Sequence, residues 1–120
     1  MAAFYHDVLG LPFFEPWDGD ETLVSLDLHN IVICIMQTTA TATVPKHSME
    51  FSTDPQGFDS IALKVDDLND AIAALDGKVE WINSEPFEMR RDNGTYFRNR
   101  AFRDPDGNMI YIQESNLVRP

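Results

Sequence analysis

The sequence predicts an α+β fold made of two similar modules, and the repeated order of its elements is the main reason. A helix, a glycine, two strands, a turn and a further strand are expected over residues 2–37, and again in the same order over residues 67–114. Gly10 and Gly77 stop the two helices at corresponding places. The 120 residues, 43% of them hydrophobic, are enough to build one core.

The first module is expected to begin with a short helix over residues 2–9, because Phe4, Val8 and Leu9 form an apolar stripe at helical spacing. Alternating apolar residues predict a strand over 23–28. The other elements expected in this module are a strand at 13–14, a turn at 17–20, a hairpin turn at His29-Asn30 and a strand over 31–36.

The second module is expected to begin with a strand over residues 60–65, where apolar residues alternate with smaller or polar ones. Asp67 is a suitable N-cap for a helix that reaches Asp76, where Gly77 stops it. The strands expected after this helix cover 79–82, 96–103 and 108–114, with an Asp-Pro-Asp-Gly turn at 104–107.

Residues 38–58 lack a helical period and are interrupted by prolines, so we predict a linker there. The expected organisation is a single domain over residues 1–120. Its parts are module one at 1–37, the linker at 38–58 and module two at 59–120.

Composition excludes several classes of protein. The formal net charge of −11 at pH 7 repels phosphate backbones, so we expect no nucleic-acid partner. No stretch approaches the ~18 apolar residues of a membrane span, so we expect no membrane partner. The N-terminus lacks the basic start and apolar stretch of a signal peptide, and the single cysteine, Cys34, excludes an intrachain disulfide. A cytoplasmic location is therefore expected.

Three stretches carry motifs that are specific in combination: AFYHDVLGL at 3–11, IALKVDDL at 61–68 and FRDPDGNMIY at 102–111. They resemble the vicinal oxygen chelate superfamily of glyoxalase I, bleomycin- and fosfomycin-resistance proteins and extradiol dioxygenases. The resemblance implies two βαβββ modules forming a curled mixed sheet around an open cup, with the first strand of module one missing here. Because dimers are common in that superfamily, we expect a homodimer.

Metal-dependent members of that superfamily hold one divalent ion in the cup through two His or Gln and two Glu side chains. The resemblance places the second-module His at Ser60 and the second-module Glu at Tyr111. The offset of 77 residues between Ile33 and Ile110 places the first-module Glu at Cys34. The first-module His would fall before the start of the sequence. We therefore predict a cup without the usual metal and without any other cofactor.

Strand alternation predicts which side chains face the cup, because successive residues of a strand point to opposite faces. The expected face combines small, apolar and aromatic side chains with a few polar groups, which suits a small, partly apolar ligand. Arg100 is the arginine that we expect to contact an anionic group of that ligand. The predicted ligand-binding residues are Ser60, Ala62, Tyr111, Met109, Gln113, Cys34, Met36, Tyr96 and Arg100.

Three functions remain open at this point. The first is binding of a small, partly apolar ligand without a metal, as in proteins of the bleomycin-resistance type. The second is a metal-dependent lyase, isomerase or dioxygenase of the same superfamily. The third is a non-catalytic dimeric subunit, in which another chain or the linker covers the sheet edge that the missing strand leaves open.

Overall fold

The computed structural model describes residues 1–14, 19, 23–29, 31–41, 45–50 and 52–117. The chain divides into two compact units, Met1–Thr43 and Val44–Pro120. Within the described residues there are two short helical segments, a two-stranded sheet and a five-stranded sheet. The predicted α+β class is thereby confirmed. The single domain over residues 1–120 stays a prediction.

The first unit begins with a π-helical segment, Phe4–Val8, inside the region predicted to be helical. Tyr5 is buried on this segment, with 4% of its surface exposed. Gly10 follows with a φ of +74°, a conformation that glycine adopts at little cost. The helix therefore ends where the sequence predicts, although its hydrogen bonding is of the π type.

The same unit contains an antiparallel hairpin of strands β1 (Leu23–Asp27) and β2 (Val32–Met36), close to the predicted strands. Val24 and Leu26 are buried on one face of this hairpin, with 3% and 0% exposed. Alternation along each strand leaves the other face accessible.

Other predictions for this unit have different outcomes. The strand expected at 13–14 is reduced to a single bridge between Phe13 and Leu26. In the predicted hairpin turn, His29 takes the left-handed conformation with a φ of 70°. The predicted turn residues that lie outside the described part of the chain are Trp17, Asp18, Asp20 and Asn30.

The second unit contains helix α1 (Leu68–Leu75), which begins as predicted. The carboxylate of Asp67 accepts a hydrogen bond from the backbone N–H of Asp70 at 3.0 Å, and so satisfies one of the free donors of the first turn. Leu68 and Leu75 are the buried residues of this helix, which packs on the last strand of the sheet.

Five strands form the sheet of the second unit: β3 (Ser60–Lys64), β4 (Glu80–Trp81), β5 (Phe87–Arg90), β6 (Tyr96–Arg103) and β7 (Met109–Ser115). Their order is β3-β7-β6-β4, and β5 pairs with the other half of β6. The pair β3–β7 is parallel and the remaining pairs are antiparallel, so the sheet is mixed. It does not close into a barrel, since its path ends at β3 and β4.

Strand β5 is absent from the sequence-based prediction. Pro86 precedes it, and the charged residues Glu88 and Arg90 alternate with Phe87 and Met89, all four of them exposed. This alternation is a strand signal, but four residues are too few for it to stand out, and the pairing with β6 supplies the hydrogen bonds that complete the strand.

The middle of the predicted linker is attached to the turn before β7 in the second unit. Arg103 Nη1 donates to the backbone oxygens of His47 at 3.1 Å and Gly107 at 2.9 Å. Lys46 Nζ donates to Asn108 Oδ1 at 2.8 Å. These bonds connect the described residues 45–50 to the turn before β7, so Arg103 has a structural role that the sequence does not reveal.

Candidate functional site

The pairing register shows which residues share each face of the five-stranded sheet, because paired residues point to the same side. On one face Ala62 lies opposite Tyr111, which in turn lies opposite Ala101. Helix α1 contacts the other side, where Glu114 accepts a bond from Leu68. We call the first side the non-helix face; its central residues are Ser60, Ala62, Lys64, Met109, Tyr111, Gln113, Asn99 and Ala101.

The structure brings five of the predicted ligand-binding residues together on this non-helix face. They occupy alternate positions of the adjacent parallel strands β3 and β7. Met109 is 2% exposed, whereas the others are partly or largely accessible. The five residues are Ser60, Ala62, Met109, Tyr111 and Gln113.

Two further predicted residues, Cys34 and Met36, lie in the first unit. Both point to the accessible face of the β1–β2 hairpin, and Met36 is 70% exposed. The thiol of Cys34 is 3.8 Å from the hydroxyl oxygen of Ser25, at the distance of a weak sulfur hydrogen bond. Their part in a ligand-binding cup stays a prediction.

Arg100 lies on the helix side of the sheet, opposite Ile112 in the register. Its guanidinium stacks over the ring of Trp81, 4.1 Å from the centroid. It also donates to the backbone oxygens of Asn83 and Ser84, each at 3.0 Å. The sheet separates Arg100 from Tyr111, and its donors already hold the 83–84 loop, so we leave it out of the candidate site.

Tyr96 also lies on the helix side, where it stands two positions from Arg98 along β6. Its hydroxyl donates to Glu114 Oε2 at 2.9 Å, and the guanidinium of Arg90 lies 4.8 Å from the centroid of its ring. The hydrogen bond to Glu114 is the largest cause of the raised pKa of Tyr96. Tyr96 therefore belongs to a structural network and does not share a face with Tyr111.

Glu114 is the centre of that network on the helix side. Its carboxylate accepts hydrogen bonds from the backbone N–H of Leu68 at 3.0 Å and from the hydroxyl of Tyr96 at 2.9 Å. These two bonds, in that order, lower the pKa of Glu114, and Arg98 at 3.9 Å adds to the effect. The charged carboxylate thus joins the first turn of α1 to the sheet.

Replacing Glu114 by glutamine is expected to lower stability at neutral pH but not in acid. Because the folded pKa lies below the ordinary 4.5, the charge of Glu114 contributes stability above that pH, and the contribution is lost as pH falls through the folded pKa. Urea denaturation at a series of pH values from 7 downward measures the difference, which should shrink as the pH falls below 4.5. The exposed Glu85→Gln variant is the control and should match the parent at every value. A loss from Glu114→Gln that stays the same at every pH would contradict the role of its charge.

Tyr111 has a distinctive environment at the centre of the non-helix face. Burial raises the pKa of its phenol, and the negative charges of Asp59 and Asp54 raise it further. The phenol therefore stays protonated near neutral pH and can donate a hydrogen bond to a ligand. Sequence reasoning missed both aspartates, although Asp59 directly precedes Ser60 and could have been found from that position.

The residues that the resemblance assigns to the superfamily's metal positions supply a hydroxyl, a phenol and a thiol. The Ser60 hydroxyl donates to Asp59 Oδ2 at 2.8 Å, and the protonated phenol of Tyr111 is a weak ligand. Divalent ions such as Mn, Ni, Fe and Zn are held mainly by imidazole and carboxylate donors, so this set does not fit them. Within residues 1–14, 19, 23–29, 31–41, 45–50 and 52–117, no three or more His, Cys, Asp or Glu gather into a group that could hold a metal.

In the described part of the chain no helix has the length and apolar character needed to cross a membrane.

Comparisons with known proteins agree with this architecture. An integron cassette protein of V. cholerae has a TM-score of 0.61 and 23% identity, covering 94% of this chain and 82% of that one. Lactoylglutathione lyase from Agrobacterium tumefaciens has a TM-score of 0.56 and 21% identity, with coverage of 94% and 81%. A glyoxalase/bleomycin resistance protein/dioxygenase superfamily member from Sphaerobacter thermophilus has a TM-score of 0.57 and 21% identity, with coverage of 93% and 83%. At these identities the likeness shows the fold alone.

A search of curated proteins finds no match. The family model described as glyoxalase/bleomycin resistance protein/dioxygenase superfamily matches residues 1–112. This match spans nearly the whole sequence and includes all three motif stretches on which the resemblance rests. The chain therefore belongs to the glyoxalase/bleomycin resistance protein/dioxygenase superfamily.

Proposed function

We propose that this chain binds a small, partly apolar ligand on the non-helix face without the divalent ion of the metal-dependent members. The observation that carries the proposal is the environment of Tyr111. It stands where the superfamily's second-module glutamate would stand, and its cross-strand neighbours are alanines, Ala62 and Ala101. The side chains directly opposite the ring on the two adjacent strands are therefore small.

The phenol supplies one polar contact, because it is protonated and partly accessible. A face with an aromatic ring, small residues beside it and a few polar groups is typical of a site for a small amphipathic molecule. The family description includes bleomycin resistance proteins, and the resemblance to that type of protein supports binding of a small molecule as the function proposed for this chain.

Replacing Tyr111 by leucine is expected to weaken the binding of 2-naphthamide, a neutral aromatic probe. Loss of the ring contact and of the phenol hydrogen bond should raise the Kd by about tenfold. Two-dimensional NMR titration measures the Kd and identifies the amides that respond, which should belong to β3 and β7.

The matched control is Tyr96→Phe on the helix side. It should leave the Kd within about twofold of the parent value, because the two tyrosines lie on opposite sides of the sheet and separated sites affect each other little. An unchanged Kd for Tyr111→Leu would contradict the proposed site.

Elemental analysis after incubation with Mn, Fe, Ni and Zn examines the alternative of a metal-dependent lyase or dioxygenase. One equivalent of retained metal would favour that alternative.

We also propose that the chain is a cytoplasmic homodimer. This proposal is compatible with the alternative function of a non-catalytic dimeric subunit. The accessible face of the β1–β2 hairpin carries Leu23, Val32 and Met36, which are 57%, 41% and 70% exposed. Apolar side chains gathered at one exposed face favour association with a partner. The free, exposed thiol of Cys34 agrees with a reducing compartment. Sedimentation equilibrium of the purified chain measures its oligomeric state.

A further inference from the structure

We propose that the ligand of the non-helix face is an aromatic carboxylate, whose anionic group is held by Lys64 together with the side-chain amides of Gln113 and Asn99. This inference rests on the proposed function and adds the chemical class of the ligand. Lys64, Gln113 and Asn99 are not among the residues that the family resemblance assigns to the metal site.

The three polar side chains form one row across the sheet. Lys64 of β3 lies opposite Gln113 of β7, and Gln113 lies opposite Asn99 of β6. Neighbouring strands are about 4.8 Å apart, so the Cα atoms of Lys64 and Asn99 lie about 10 Å apart, with Gln113 between them. An ammonium group and two amide N–H₂ groups are donors that suit a carboxylate.

The row has free hydrogen-bonding capacity within the described residues. The side chains of Lys64, Gln113 and Asn99 make no hydrogen bond and no ion pair to any residue that the structure describes. Arg103, a second cation on the same face, is by contrast engaged by the backbone oxygens of His47 and Gly107. Lys64 is therefore the cation of this face whose donors remain available for an anion.

Aromatic side chains lie at the end of the row away from Lys64. Phe87 of β5 lies opposite Asn99, and it is 49% exposed. Its ring is 5.9 Å from that of Phe97, which is on the same face two positions from Asn99. A ligand with its carboxylate at Lys64 would place its apolar body toward Tyr111 and this aromatic pair.

The charges around Tyr111 favour the same orientation. Asp59 and Asp54 lie close enough to the phenol for their charges to act on it, and Asp59 adjoins Ser60, whose hydroxyl donates to it. Lys64 lies at the opposite end of β3. An anionic group is thus repelled at one end of the strand and attracted at the other, which gives a bound molecule one preferred direction.

Lysine also occurs on edge strands to prevent unwanted pairing, and β3 is an end strand of this sheet. A role of that kind depends only on the presence of a charge and predicts no preference among ligands. Reversal of the charge at Lys64 distinguishes the two roles, because only a ligand contact changes which probe binds better.

The experiment compares three probes with the same ring system: 2-naphthoate, 2-naphthamide and 2-naphthylmethylammonium. NMR titration of the full chain measures the three Kd values, and the side-chain amide signals of Gln113 and Asn99 report local contact. We expect 2-naphthoate to bind most tightly and to shift both amide signals. Lys64→Glu should weaken 2-naphthoate by at least about tenfold, change 2-naphthamide by less than about threefold, and favour the ammonium probe.

The control Lys78→Glu makes the same change in net charge at an exposed turn outside the face, and should leave the order of the three affinities unchanged. If Lys64→Glu leaves 2-naphthoate binding unchanged while Tyr111→Leu still weakens all three probes, the carboxylate class is wrong and the proposed site stands. If none of the probes binds to the parent chain at millimolar concentration, both proposals are overturned. If Lys64→Glu is poorly folded, Lys64→Gln replaces it in the experiment. This variant removes the positive charge without adding a negative one, and it should also weaken the binding of 2-naphthoate.

Discussion

Replacing Phe102 by alanine is expected to lower the free energy of unfolding by about 3–5 kcal/mol, the usual range for deletion of a buried phenyl ring. Phe102 is 0% exposed and lies opposite Ile110 in the sheet of the second unit. Its ring makes an edge contact with Trp81, with centroids 5.7 Å apart. Deletion of the ring leaves a cavity that the paired strands cannot close, because their hydrogen bonds keep them in place.

Urea denaturation followed by tryptophan fluorescence measures this loss, since Trp81 contacts the deleted ring. Phe58→Ala is the matched control, because Phe58 is 96% exposed in the same unit. That variant removes the same atoms and should change stability by less than about 0.5 kcal/mol. Similar losses from the two variants would show that Phe102 is not the centre of this core.

Asp104→Ala is the second substitution with a large expected effect, a loss of about 2–4 kcal/mol from unsatisfied buried donors. Asp104 is 4% exposed and belongs to the turn before β7. Its carboxylate accepts from the backbone N–H of Asp106 at 3.0 Å and of Asn108 at 2.8 Å, and from the Asn108 side-chain amide at 2.9 Å. Alanine leaves these donors without that acceptor.

Asp106→Ala in the same turn is the control for this prediction. Asp106 is exposed, and its backbone N–H, which the substitution keeps, donates to Asp104. Its loss of stability should stay within about 0.5 kcal/mol, as for other exposed positions. Thermal or urea denaturation of the two variants provides the comparison. A large loss from Asp106→Ala, or none from Asp104→Ala, would contradict the assigned role of the buried carboxylate.

The elements whose signals are local follow from the amino-acid sequence alone. The Asp67 cap and Gly77 mark the two ends of α1, because N-cap hydrogen bonds and a positive φ depend on a few neighbouring residues. The alternation of β3 and β7 placed Ser60 and Tyr111 on one face, since the period of a strand is two residues. These local rules, with the motif stretches, were enough to predict the fold class and the superfamily.

The features that depend on pairing between distant segments are visible only in the folded chain. The face of Arg100 follows from its register with Ile112, which no pattern within β6 reveals. Strand β5 exists through its bonds to β6, and the role of Arg103 follows from a backbone oxygen 56 residues away, that of His47. The energies of such contacts are set by which chain segments meet, and local composition carries little information about that choice.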